Sequence, residues 1–200
     1  LVPVRGKEII AWQIEYLFLK GIKKIVLALG FQGEKVGTFV GERYSESNLM
    51  LSLEETPLGT GGAIKQALTY IRGDSVLVLN CDDITDINPL ELANYGGNVI
   101  AAAHPRLPFG LVEDTAGYAR FVDMPILEDR WVNVGWYVLN KQELMECLPD
   151  TGNIEALVFP HMRLKIHQHN GFWGTLNSRK DIEAFEARDD LPTILQGLLK

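Results

Sequence analysis

The chain has 200 residues, 46% hydrophobic and 22% charged, a composition ordinary for one globular domain with a sizeable core. Its 26 acidic against 19 basic residues give a net charge of −7, which argues against a large basic surface for nucleic acid or anionic membrane. No apolar run is long enough to cross a bilayer, and no signal peptide is visible.

The first predicted element is a helix in GKEIIAWQIEYLFLKG. Ile10, Ile14, Leu17 and Phe18 share one face, and Gly21 is placed to stop it. KKIVLAL is a continuous apolar run, the mark of a strand covered on both faces. GEKVGTFVGERY is a helix with Val36 and Val40 one turn apart, and NLMLSL is a strand. EETPLGTGGAIKQAL then puts Gly59, Gly61 and Gly62 at the mouth of a helix running to Tyr70. DSVLVLN and NVIAAA are further buried strands.

The second half changes character. GLVEDTAGYARFV alternates around a DTAG turn and predicts a β-hairpin. RWVNVGWYVL is a strand, KQELMECL a short helix and RLKIHQH a strand. SRKDIEAFEARDD is a helix with Ser178 as N-cap and Asp181 completing a near capping box. The order predicts an α/β domain over 1–200, a nucleotide-binding half in 1–105 and a second half in 106–200. Its sheet should be mixed and mostly parallel, with helices on both faces. Cys81 and Cys147 lie far apart and are expected to be buried free thiols in a reducing cytoplasm. The sequence leaves open assembly into a homo-oligomer.

Ligands of open α/β sheets bind beyond the carboxyl ends of strands, and three polar stretches fall there. Bare backbone at the glycine-rich helix entry can offer N–H groups to an anion or a flat base. A turn that only redirects the chain is the plainer alternative. NCDDITD gathers Asp82, Asp83 and Asp86, carboxylates that a cation would compensate. Asp82, nearest the strand end, is the candidate metal ligand; the plainer alternative is a solvated loop with Asp86 capping the next helix. In WVNVGWYV, Asn133 and a glycine interrupt an aromatic strand, by a bulge or to aim a polar group at a ligand. His167 and His169 share a face but lack a third ligand nearby in sequence, while His104 and His161 look like loop residues.

Taken in order, these stretches resemble the sugar-1-phosphate nucleotidyltransferase family, over nearly the whole length. EETPLGTGGAI matches its E-x-P-L-G-T-x-G-A motif, NCDD its N-G-D, PFGLVE its P-Y/F-G-x-V and NVGWYVL its N-x-G-x-Y. FVDMP stands where the family has F-x-E-K-P; FPHM and GFWGTLNSRKDIEAF match the closing segments. The resemblance implies a Rossmann-like nucleotidyltransferase fold and a Mg²⁺-dependent reaction of a nucleoside triphosphate with a sugar 1-phosphate. It places Glu54, Leu58, Gly59 and Thr60 against the nucleotide, makes Asp82 the catalytic metal ligand, and sets Gly110, Asp123 and Asn133 around the sugar. GDP-mannose is the product class that the compact form suggests.

Three family positions differ. Cys81 replaces a glycine, Met124 a sugar-phosphate lysine, and Thr175 a second metal aspartate. These favour, as an alternative, a regulatory or binding paralogue without turnover. A glycosyltransferase is a third reading, but adjacent Asp82 and Asp83 are not its D-x-D pair. The family's glycine-rich loop and first strand should precede Leu1. Either a strand leading towards Leu1 or an empty slot beside KKIVLAL and DSVLVLN is therefore expected. Residues are also expected to be missing between Met162 and Arg163, and NYGGNV looks short in the same way.

Overall fold

The computed structural model describes residues 1–199, so the last residue of the predicted 1–200 domain lies outside them. An N-terminal hairpin, β1 (Pro3–Val4) and β2 (Lys7–Glu8), leads into α1 (Ile9–Leu19). Then come β3 (Ile25–Leu29), α2 (Gly33–Arg43), β4 (Leu49–Leu53), α3 (Gly59–Ala67) with a 3-10 turn at Leu68–Tyr70, and β5 (Ser75–Leu79). The middle holds β6 (Asp83–Thr85), α4 (Pro89–Asn94), β7 (Val99–Ala103), the hairpin β8 (Leu111–Thr115) and β9 (Tyr118–Val122), and β10 (Val132–Asn140). The chain closes with α5 (Lys141–Cys147), α6 (Ile154–Leu157), a 3-10 turn at Phe159–His161, β11 (Lys165–Gln168), β12 (Trp173–Thr175), α7 (Arg179–Glu186) and α8 (Thr193–Gly197).

The main sheet has the order β11-β7-β10-β5 and is mixed, because β10 runs antiparallel to both neighbours while β11 is parallel to β7. β3 and β4 pair in parallel as a separate sheet. Strand β10 shows why this sheet is covered twice. Its side chains alternate, so Val134, Trp136 and Val138 enter one core with α1, α7 and α8, while Tyr137 and Leu139 enter another with Leu68, Leu144 and Val158.

Helix α1 differs from its predicted one-faced stripe. Trp12, Gln13 and Tyr16 are buried as well, because the β1–β2 hairpin and α7 cover the other side. Trp12 Nε1 donates to Val4 O at 3.1 Å, and its ring meets Phe185 edge-on. Gly21 ends the helix with φ of +83° and donates to Phe18 O. The Ser178 capping box on α7 forms as predicted. The DTAG turn has φ of +54° at Ala116 and +86° at Gly117, the left-handed pair a tight hairpin needs.

Four expectations need correction. Cys81 and Cys147 are both exposed, one at the open end of β5 and one in the last turn of α5. Asp86 does not cap α4: Asn88 does, accepting from Leu90 N, while Asp86 accepts from Phe172 N. The chain passes from the 3-10 turn to β11 in the three residues 162–164, Met162 N bonding Phe159 O and Lys165 N bonding Asn98 O, so this link needs no further residues. Finally, β3 and β5 are not covered throughout: Ala28 is exposed and Val76–Leu79 are only half-buried. An open slot of about 820 Å³ lies between them.

Candidate active site

The glycine-rich entry to α3 faces a loop of the same chain. A Cβ on Gly59 would lie 2.8 Å from Gly152 O, one on Gly61 3.0 Å from the same atom, and one on Gly62 2.3 Å from Asp150 O. Gly61 N donates to Gly152 O, and Gly152 N donates to Leu58 O. What comes close to these glycines is therefore the loop before α6. Thr60 seals the contact: its Oγ1 accepts from Ile154 N at 2.9 Å and lies 3.3 Å from Glu155 Oε2. Glu54 stands at the end of β4, where its backbone N donates to Leu29 O. Its carboxylate accepts from Leu58 N at 2.9 Å and leaves little room beside Gly30. So the ends of β3 and β4 and the start of α3 meet at Glu54.

At the end of β5, Asn80 N donates to Gly135 O, and a Cβ on Gly135 would lie 2.5 Å from Asn80 Nδ2. Gly135 has φ of +71° within the bulge that interrupts the β7–β10 ladder. The glycine in NVGWYV thus makes room for the asparagine of NCDD. Asn133 is largely occupied within the protein: Nδ2 donates to Tyr137 Oη at 2.6 Å and Oδ1 accepts from Gly135 N at 2.8 Å. Burial pushes the Tyr137 phenol up to about 12, so it stays neutral beside Asn133.

The adjacent aspartates diverge: Asp82 lies in the turn before β6, and Asp83 is the first residue of that buried strand. Asp82 is exposed, and its carbonyl accepts from Leu176 N. Asp83 is buried and its carboxylate accepts from Trp173 Nε1 at 2.9 Å. Burial pushes the Asp83 carboxyl up to about 6, against the hydrogen bond from Trp173. Asp83 pairs with Thr175 across the β6–β12 ladder. The sequence groups Asp83 with Asp82 and Asp86 as carboxylates for a cation, whereas the structure holds it with Trp173. Sequence reasoning missed Gln13, whose buried amide donates to Asp83 O.

Gly110 and Asp123 do not join this cluster through any hydrogen bond among the described residues. They flank the base of the β8–β9 hairpin, where Leu111 pairs with Val122. Phe121 lies so close over Gly110 that a Cβ there would be 2.0 Å from its ring. Met124 has φ of +39°, and its carbonyl accepts from the Arg106 guanidinium at 3.0 Å. His169 Nε2 lies 2.9 Å from Asp86 Oδ1, and His167 Nδ1 3.1 Å from Tyr95 Oη. Among the described residues, no group of three or more His, Cys, Asp or Glu could hold a metal ion by itself. The same residues contain no helix long and apolar enough to cross a membrane.

The mannose-1-phosphate guanyltransferase of Gibberella zeae is 30% identical over 90% of this chain and 55% of its own length. The D-glycero-alpha-D-manno-heptose 1-phosphate guanylyltransferase of Aneurinibacillus thermoaerophilus is 33% identical over 42% of this chain and 36% of its own. The chain thus spans about half or less of these curated relatives. In structure it is similar to HddC from Yersinia pseudotuberculosis, solved in complex with GMP-PN, with a TM-score of 0.76 at 21% identity over 92% of this chain and 87% of that one. That likeness supports the Rossmann-like nucleotidyltransferase fold. The nucleotidyl transferase family, as a sequence profile, matches residues 1–157, and the chain belongs to that family.

Proposed function

We propose that this chain carries the nucleotide and sugar sites of a sugar-1-phosphate nucleotidyltransferase. In the reaction, a phosphate oxygen of the sugar 1-phosphate attacks the α-phosphorus of a nucleoside triphosphate. The bond from that phosphorus to the β-phosphate bridging oxygen breaks, giving NDP-sugar and pyrophosphate. Two anions must be brought together and their charge offset, so positioning and electrostatics dominate. The similarity to guanylyltransferases favours GTP, with a mannose- or heptose-type sugar 1-phosphate as partner; a cytoplasmic setting is part of the same proposal.

The observation that carries this reading is the placing of family motifs at strand ends: Glu54 closes β4 and accepts from Leu58 N at the α3 entry, and Asp82 lies exposed just beyond β5. Leu58 and Thr60 offer a wall for the base, with Gly59, exposed but packed against Gly152 O, between them. Asp82, exposed at the strand end, suits a Mg²⁺ ion that arrives on triphosphate oxygens, since that ion needs only one or two carboxylates. When bound, the ion would offset phosphate charge. Its donor set is partial, because Asp83 is committed to Trp173.

One of the departures that favour an inactive paralogue has a charged neighbour. Arg106 brings a guanidinium to the Met124 position, where the family has its lysine. At Thr175, where the family has its second aspartate, the facing Asp83 is held by Trp173, so that departure stands. Purified protein screened with each nucleoside triphosphate, several sugar 1-phosphates and Mg²⁺ tests the reading. Pyrophosphate release with GTP is expected; nucleotide binding without release under every pairing selects the regulatory paralogue.

A further inference from the structure

β11 is the edge strand of the main sheet, and His167 lies on it opposite Ala101. His169 follows directly and keeps the ladder, its N donating to Ala102 O at 2.8 Å. Two residues apart, the histidines face the same way. Nothing in the proposed reaction uses either of them. Each ring is held through one nitrogen only. His169 Nε2 meets two acceptors, Asp86 Oδ1 at 2.9 Å and Phe172 O at 3.2 Å, so Nε2 carries the proton and Nδ1 keeps its lone pair. His167 Nδ1 meets Tyr95 Oη at 3.1 Å, and donating to it leaves the lone pair on Nε2.

His169 Nδ1 and His167 Nε2 have no hydrogen-bond partner among the described residues. Nor are they shut away: among those residues the one buried side-chain nitrogen or oxygen without a partner is Trp136 Nε1. The surroundings hold His169 in this pose. Asp86 Oδ1 also accepts from Phe172 N at 2.7 Å, and Thr85 Oγ1 donates to Phe172 O at 2.7 Å, which fixes the turn after β11. At Gly171 a Cβ would lie 2.6 Å from both Asp86 Oδ1 and His169 Cε1. A carboxylate behind one imidazole and a phenol behind the other is the outer arrangement that orients histidines toward a metal ion. The spacing allows one ion. At a metal–nitrogen distance of about 2.0–2.1 Å each ring centre stands about 3.2 Å from the ion, so two rings on one ion are at most about 6.4 Å apart. The two ring centres are 6.1 Å apart. The His167 ring, held by a single hydrogen bond, is the one free to turn its Nε2 to the ion.

We propose that His167 and His169 form a binding site for a divalent transition ion, Cu²⁺, Ni²⁺ or Zn²⁺. The ion is held through His167 Nε2 and His169 Nδ1, with water in its remaining positions. Neutral imidazole suits these three ions, whereas Mg²⁺ takes oxygen ligands. The site is thus chemically distinct from the Mg²⁺ position at Asp82. Two protein ligands are fewer than a structural zinc site has, so the ion is exchangeable. Asp86 reaches the pair from just past β6, and Tyr95 from the end of α4. A bound ion therefore tightens β11 against both segments. The proposal goes beyond the reaction and stands whether or not the chain transfers a nucleotide.

The experiment is calorimetric titration of the 200-residue protein with Cu²⁺, Ni²⁺, Zn²⁺ and Mg²⁺ salts as probes. Cys81→Ser and Cys147→Ser are made first, because both thiols are exposed and would take the same ions. One ion per chain is expected, with Cu²⁺ bound more tightly than Ni²⁺ or Zn²⁺ and none of them displaced by Mg²⁺. Saturation with Ni²⁺ should raise the melting temperature. His167→Ala and His169→Ala should each weaken Ni²⁺ binding about tenfold or more, whereas His104→Ala and His161→Ala should leave it unchanged. Melts without metal show whether each variant folds. The spectrum of Cu²⁺ on the protein with both histidines present needs no histidine variant, and it should show two imidazole nitrogens on the ion. No saturable binding by any of the three transition ions overturns the proposal. So does binding that keeps its strength in either folded histidine variant, binding matched by Mg²⁺, or a Cu²⁺ spectrum with fewer than two imidazole nitrogens.

Discussion

The carbonyl oxygen of Gly152 sits where a side chain on Gly59 would begin: an added Cβ would lie 2.8 Å from it. The glycine also has φ of +71°. Gly59→Ala must therefore suffer twice, from a left-handed backbone and from a backbone clash. Gly96, with φ of +62° and nothing within 4 Å of the place a Cβ would take, suffers only the first. Left-handed strain alone costs about 1 kcal/mol. Thermal melts should show Gly59→Ala losing clearly more stability than Gly96→Ala. Equal losses would mean that the 150–153 loop yields freely, and would return the glycines to nucleotide approach as their main role.

The two adjacent aspartates should separate in experiment. Asp82→Asn is nearly isosteric at an exposed position and should leave the melting temperature within a degree or two while removing most Mg²⁺-dependent turnover. Asp83→Ala should do harm of another kind. It strands the Trp173 N–H in a buried site, at a cost of about 1–3 kcal/mol. If Asp82→Asn keeps its turnover with unchanged Mg²⁺ dependence, Asp82 is not the ligand.

Arg106 holds the carbonyl of Met124 and is exposed. If its guanidinium stands in for the missing lysine, Arg106→Gln should raise the KM for the sugar 1-phosphate about tenfold or more, since a charged hydrogen bond contributes roughly 1.5–3 kcal/mol. The KM for the triphosphate should hardly move. A change shared equally by both substrates would point instead to loosening of the β8–β9 arm.

The fold was legible where the signal is local. Continuous apolar runs marked β3, β5 and β7, and Ser178 with Asp181 marked the start of α7. What was not legible depends on contacts distant in sequence. Nothing near Gly59 announces the loop at Gly152, 93 residues on, so glycines that admit a peptide backbone looked like glycines that admit a ligand. Likewise, Gly135 could be read as a bulge, but not as the space that Asn80 fills. The exposure of Cys81 also escaped prediction, because it follows from the slot between β3 and β5 and not from residues beside it.

Glu15 offers a test of how the N-terminal hairpin is held. From α1 its carboxylate receives Lys7 of β2, Arg43 at 3.1 Å and Tyr44 Oη at 3.0 Å. Burial pushes the Glu15 carboxyl up, but the hydrogen bonds from Lys7, Tyr44 and Arg43 outweigh it and hold the group below its ordinary value. A carboxyl lowered in the folded state stabilises the fold above its unfolded value, about 4.3, and loses that contribution as pH falls through the lowered folded value. Glu15→Gln should thus melt below the parent at pH 7, and the gap should close as pH falls below about 4. The site is partly exposed, so added salt should also shrink the gap at pH 7. A gap that stays constant from pH 7 to pH 3 would show that amide and carboxylate differ there in shape alone, and that the charge of Glu15 contributes nothing to holding β2 and α2 against α1.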